Sequence, residues 1–146
     1  LFLVMQLPLS IDEENKMGFK EILHQEVLYL DGQTQSQIDT IMASYGQLLL
    51  SDGLSQFAIA SHKSHEEIFI QKYKVVSIYS EMPEKYAVLL TKYGLHKTDH
   101  LITAWNTFSQ DYPGECRRIC IEGLDAYNVV DILKKQGMYR AQIIED

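Results

Sequence analysis

Cysteine, tryptophan and proline are scarce in this 146-residue chain, at two, one and three residues. Two cysteines cannot build the disulfide framework of a small secreted scaffold. They also lack the further cysteines and the spacing of a structural zinc site. With three prolines and eight glycines there is no Pro/Gly-rich linker, and no internal repeat or low-complexity tract interrupts the chain. No apolar run reaches the roughly 18–20 residues of a transmembrane helix. The opening stretch Leu1 to Leu9 is apolar but short. It is broken by Gln6 and Pro8 and has neither a basic leading region nor a small-residue cleavage site, so it makes a poor signal peptide.

Positive charge is in short supply as well. Thirteen Lys and Arg face twenty Asp and Glu, a net charge of −7. Nucleic acid and anionic membranes both require a basic surface, so neither is expected as a partner. The two basic pairs, Arg117-Arg118 and Lys134-Lys135, each have acidic neighbours in Glu115, Glu122 or Asp131 and read as solvated faces. The chemistry-bearing motifs are missing too: no phosphate-binding glycine loop, no HExxH, no GxSxG and no CxxC. The sequence therefore points to no cofactor.

What remains is an ordinary globular composition, 46% hydrophobic and 23% charged, of a length suited to one domain over residues 1–146. The pattern divides it into an N-terminal helical segment (1–53) and an α+β body (54–146). Ser10 and Glu13 have capping-box form, and the spacing predicts a helix through Met17, Phe19, Ile22 and Leu23. Leu28-Tyr29-Leu30 then runs into the turn signal Asp31-Gly32. Thr34 and Gln37 form a second box ahead of Ile38, Ile41, Met42, Tyr45, Leu48 and Leu49, which share one helical face. Gly53 stands where a left-handed C-terminal residue is wanted. Whether residues 1–16 belong to the ordered domain is open at this level.

In the body, Phe57 to Ser61 reads as a strand and 62–66 as a polar turn. An extended stretch from Glu67 to Tyr79 reads as a hairpin arm with a bulge, or as two strands in sequence. A helix follows from Met82, with Pro83 in its first turn and Gly94 at its end. His100 to Phe108 is predicted as a strand, Asp111 to Gly114 as a turn and Cys116 to Glu122 as a strand. Asp125 opens a helix that Gly137 closes, and Tyr139 to Ile144 is the last strand. From Tyr73 onward the order is β-α-β-β-α-β, a ferredoxin-like pattern with the strands from Tyr73 and Cys116 central. In a strand, Cys116 and Cys120 stand about 13 Å apart, beyond disulfide reach. Two unpaired thiols without a signal peptide point to a reducing, cytoplasmic compartment.

Three sets of residues invite a chemical reading. His62 and His65, with Glu66 and Glu67 beside them, are possible metal donors, set against an exposed turn that gives no fixed convergence. His96, Asp99 and His100 follow a helix end, where Asp99 and His100 could serve as base and orienter, set against C-capping by His96 and loop hydrogen bonds. Trp105, Tyr73 and Arg118 could line a ligand cleft, set against core packing and an ion pair. These give three functional expectations. The first is a non-enzymatic interaction or regulatory domain working through protein–protein contacts, with a protein partner or a homodimer. The second is a small-molecule binding domain with its pocket between the sheet and the N-terminal helices. The third is a small enzyme using the His/Asp cluster.

Overall fold

The apolar run that opens the chain forms a strand, β1 (Phe2–Pro8), at the heart of a sheet. In the computed structural model, which describes residues 1–19 and 23–145, β1 is followed by α1 (Ile11–Met17), β2 (His24–Leu30) and α2 (Gln35–Ser51). Three consecutive strands come next: β3 (Gln56–Ser61), β4 (Glu66–Ile70) and β5 (Val76–Tyr79). Then come α3 (Pro83–Lys92), a long connection, α4 (Ala126–Lys134) and β6 (Tyr139–Glu145). All neighbouring strands pair antiparallel, in the order β5-β4-β3-β1-β2-β6. The protein is thus α+β, a six-stranded antiparallel sheet with four α-helices among the described residues.

Register sorts the side chains onto two faces. On one, Leu3, Met5, Leu7, Leu28, Leu30 and Phe57 pack against Ile38, Ile41, Leu48 and Leu49 of α2 and against Val129, Val130 and Leu133 of α4. The other face carries a smaller cluster made of strand side chains alone: Val4, Val27 and Ala58 with Phe2, Tyr29, Phe69 and Ile144.

The expected helices largely stand where their caps put them. Thr34 N–H donates to Gln37 Oε1 at 2.8 Å, and Gln37 N–H to Thr34 Oγ1 at 3.3 Å, closing the capping box of α2. Asp125 and Asn128 do the same for α4. The first helix stops at Met17, short of Phe19 and Leu23, because Gly18 takes the left-handed conformation with φ 79°. Ile22 lies outside the described residues. Gly53 is not left-handed. A Cβ there would come 2.7 Å from the Arg117 nitrogen and 2.8 Å from its oxygen, so glycine serves a close backbone approach.

The ferredoxin-like order is not formed. Residues 1–53 supply two central strands rather than a purely helical segment, and β5, expected in the centre, is an edge. His100 to Phe108 is not a strand. Thr103 N–H donates to Asn106 Oδ1 at 2.9 Å, closing a short 3-10 turn at Ala104–Asn106 in place of a ladder. Cys116 to Glu122 is not a strand either. Ile119 N–H donates to Asp52 Oδ1 at 3.2 Å and Arg117 O accepts from Gly53 N–H at 2.9 Å, so this backbone pairs with the end of α2. Cys116 and Cys120 are both free thiols.

Candidate functional site

Helix α3 is the element whose sequence and setting disagree most. Its inner side lies over Ile78 of β5, where Pro83, Tyr86, Ala87, Leu90 and Leu95 wall a cleft of about 290 Å³ with His96 and Lys97 at one end. Its outer side presents Val88, Leu89 and Tyr93 to solvent, with Val88 63% and Tyr93 79% exposed. None of its ten residues is buried. Leu95, Leu101 and Ile102, in the segment that follows, are exposed as well. A helix apolar on both sides is ordinarily covered on both sides.

Polar contacts hold α3 to the sheet. Lys85 forms an ion pair with Glu66 of β4. Ser80 Oγ–H donates to Glu66 Oε1 at 3.0 Å, and Met82 N–H donates to Ser80 Oγ at 3.0 Å. The Lys85 hydrogen bond is the main reason the Glu66 carboxyl is held down to about 2, from an ordinary 4.5. A depressed folded value means the tether contributes in full above the ordinary carboxyl range and is lost as pH falls toward about 2. Amide exchange of α3, corrected for the intrinsic rate at each pH, is therefore expected to be slowest at neutral pH and to quicken progressively from the ordinary carboxyl range down toward about 2. In Glu66→Gln it is expected to be faster than wild type already at neutral pH. Corrected exchange of α3 that stays constant in wild type from neutral pH down toward about 2 would contradict this.

The long connection after α3 is pinned at one joint. Asp52, fully buried, ends α2, and its carboxylate accepts N–H groups of Leu54 (3.1 Å), Ser55 (2.7 Å) and Ile119 (3.2 Å). Lys74 Nζ donates to the carbonyls of Asp52 (2.6 Å) and Leu49 (3.2 Å), capping the helix C-terminus with a cation. Burial pulls the Lys74 ammonium below its ordinary range, against the opposing attraction of Asp52. Tyr73 and Lys74 are consecutive non-glycine residues with φ of 55° and 58°, a costly conformation. It lets Lys74 reach α2 while the Tyr73 ring meets Trp105 at 4.7 Å and Phe108 at 4.6 Å, both edge-on. A hydrogen bond with the Cys116 thiol raises the Tyr73 phenol above its usual range.

The residues singled out from sequence are distributed as follows. Tyr73 and Trp105 do meet, whereas Arg118 stacks on Tyr127, 3.8 Å from the ring centre, and lines a separate bowl beside α1. His62 and His65 diverge: the His62 ring stacks on Phe2 at 4.3 Å, and His65 Nδ1 lies 3.2 Å from Glu81 Oε1. His96 lines the α3 cleft and His100 N–H bonds Thr98 Oγ1. Among the described residues, no hydrogen bond or ion pair joins the side chains of His96, Asp99 and His100. Nor do three or more His, Cys, Asp or Glu gather in a metal-binding arrangement among them. Val88, Leu101 and Ile102 were not singled out by motif. The available signal was the apolar Val88 on the flank of a helix already supplied with Tyr86 and Leu90.

No protein-family model, curated protein or solved structure matches the chain. Among the described residues no helix is long and apolar enough to cross a membrane.

Proposed function

We propose that this chain is a protein-interaction domain whose working surface is the outer side of α3 with the segment that follows it. The observation that carries the reading is a ten-residue helix with no buried residue that turns Val88 and Leu89 to solvent, with Tyr93 at its C-cap and Leu95, Leu101 and Ile102 of the segment that follows exposed as well. Exposed large apolar side chains concentrated in one stretch of chain favour an interface. Aromatic and large aliphatic groups at the centre of such a patch carry most of the binding energy. The Glu66 contacts of Lys85 and Ser80 hold α3 to the sheet, and the joint at Asp52 and the Tyr73–Trp105–Phe108 cluster hold the later part of the connection. The test is a photoreactive amino acid placed at Leu89 and, as control, at the exposed Asp131 of α4. Position 89 is expected to give one dominant cross-linked protein in extracts of the cells that express the chain, absent from position 131. Identical cross-linking from both positions would contradict the proposal.

A second reading rests on a cleft of about 380 Å³ between α2 and the sheet, lined by Ile38, Met42, Ile59, Ile68 and Tyr86 with Asp39 at its rim. Its size and its apolar walls, with Gln35, Ser61, Glu66 and Glu67 among the lining groups, suit a small ligand. Met42→Trp fills that cleft and leaves the outer side of α3 untouched, so it separates ligand binding from protein binding.

A further inference from the structure

The cleft beneath α3 differs from the other hollows of the molecule in its charge. Its walls are largely apolar, from Ile78 of β5 to Leu90 and Leu95, and His96 and Lys97 stand where α3 gives way to the next segment. No Asp or Glu is among the described residues that line it. The α2 cleft carries Asp39, Glu66 and Glu67, the bowl beside Arg118 carries Asp12, and the hollow at 107–115 carries Asp111 and Glu115. In a chain of net charge −7, a cleft free of carboxylates and supplied with an ammonium and an imidazole is set apart.

Neither basic side chain is engaged by the fold. A cation just past a helix ordinarily serves the last carbonyls. Here backbone N–H groups serve two of them instead: Tyr93 and Leu95 donate to Leu90 O at 3.0 and 3.1 Å, and Gly94 donates to Thr91 O at 3.0 Å. Among the described residues, the side chains of His96 and Lys97 make no hydrogen bond or ion pair, and both are exposed. We propose that this cleft binds a small amphipathic carboxylate, its apolar tail on Ile78, Ala87 and Leu90 and its carboxylate on Lys97 and His96. An ammonium and an imidazole N–H together hold one carboxylate through charge-assisted bonds, whereas a phosphoryl group or a polyanion asks for more donors. The charged end stays at the wet rim, so little desolvation opposes it, while the tail takes apolar wall out of water. The volume of about 290 Å³ lies at the small end of ligand pockets, roughly 300–1,000 Å³. The inference concerns the inner side of α3 and asks nothing of its outer side, so it stands apart from the interaction reading.

The experiment titrates the full isotope-labelled chain with octanoate, kept below its micelle-forming concentration, and with octanamide as the uncharged control, and follows backbone amide shifts by NMR. The shifts are expected to saturate and to centre on Ile78, Ala87, Leu90 and His96, with octanoate binding about fivefold more tightly than octanamide. The double variant His96→Gln, Lys97→Gln changes two exposed side chains and is expected to keep the circular dichroism spectrum while bringing the two ligands to equal affinity. Ala87→Phe fills the cleft and is expected to abolish saturable binding of both. The absence of a saturable shift with octanoate overturns the proposal. So do shifts centred on Ile38, Met42 and Ile59 of the α2 cleft, equal affinities for octanoate and octanamide in wild type, or a preference for octanoate that survives the double glutamine variant. Unchanged octanoate binding in Ala87→Phe overturns it as well.

Discussion

Asp52→Ala is expected to lower the unfolding free energy by about 4 kcal/mol. The carboxylate is fully buried and accepts three backbone N–H groups, two from the turn after α2 and one from Ile119, 67 residues on. Alanine leaves those donors without partners, and each unsatisfied buried donor costs about 1–3 kcal/mol. Asp52→Asn keeps an acceptor for one side of the joint only and is expected to cost about half as much. Urea denaturation followed by circular dichroism gives the global number. Trp105, the one tryptophan, sits on Tyr73 beside the same joint and reports it locally. Fluorescence of Trp105 is expected to change before the helical signal in Asp52→Ala, because the connection undocks from α2 ahead of the sheet. Coincident transitions together with a loss below about 1 kcal/mol would mean the joint does not organise this end of the fold.

The second large effect is expected at Arg140. Glu26 lies in a central strand with its side chain 4% exposed, and Arg140 reaches it with Nε at 2.8 Å and Nη2 at 2.6 Å. The same guanidinium donates to Glu13 Oε1 of α1 at 2.8 Å, tying that short helix to β2 and β6. The Arg140 hydrogen bond is the main reason the Glu13 carboxyl sits below its usual range, and Glu13 in turn raises Arg140. Arg140→Met removes the only cation within ion-pair distance of Glu26 among the described residues. Breaking a buried pair from one side costs about 3–5 kcal/mol, and the partial exposure of Arg140 places this case near 3. The double variant Glu26→Leu, Arg140→Met is expected to recover most of that loss, because the cost lies in the stranded carboxylate rather than in the missing attraction. Thermal melting of the two variants side by side checks this. A double variant no more stable than Arg140→Met would show that the ion network itself holds the strands.

Much of the helical structure was legible in the sequence because its signals are local. Thr34 with Gln37, Asp125, Pro83, Gly94 and Gly137 each act within one turn, and each marks a helix end that is present. The central strands were not legible, for a physical reason. β1 is buried on much of both faces, so Leu3, Val4 and Met5 show no alternation. β2 hides Gln25 and Glu26 at buried positions, where the pattern reads them as surface. Their burial is made possible by Arg140, 114 residues from Glu26, and by Gln56, whose Nε2 donates to Gln25 Oε1 at 3.2 Å across the sheet. The same limit explains 100–122. Its β-branched and aromatic residues have strand composition, yet Thr103 and Asn106 close a local turn and Asp52 takes the backbone of Ile119. For the candidate site, Tyr73 with Trp105 was foreseeable as an aromatic pair. The exposed side of α3 was not, because exposure belongs to the assembled sheet and not to the helix.

The most direct test of the interaction reading is hydroxyl-radical footprinting of Leu89 and Tyr93, compared between purified protein and extracts of the cells that express it. The outer side of α3 is expected to react freely when pure and dilute, and to be protected severalfold in extract, while Tyr112, exposed in the later part of the connection beside Phe108, reacts alike in both. Equal reactivity of Leu89 and Tyr93 in the two samples would contradict the assignment of this surface to a protein partner.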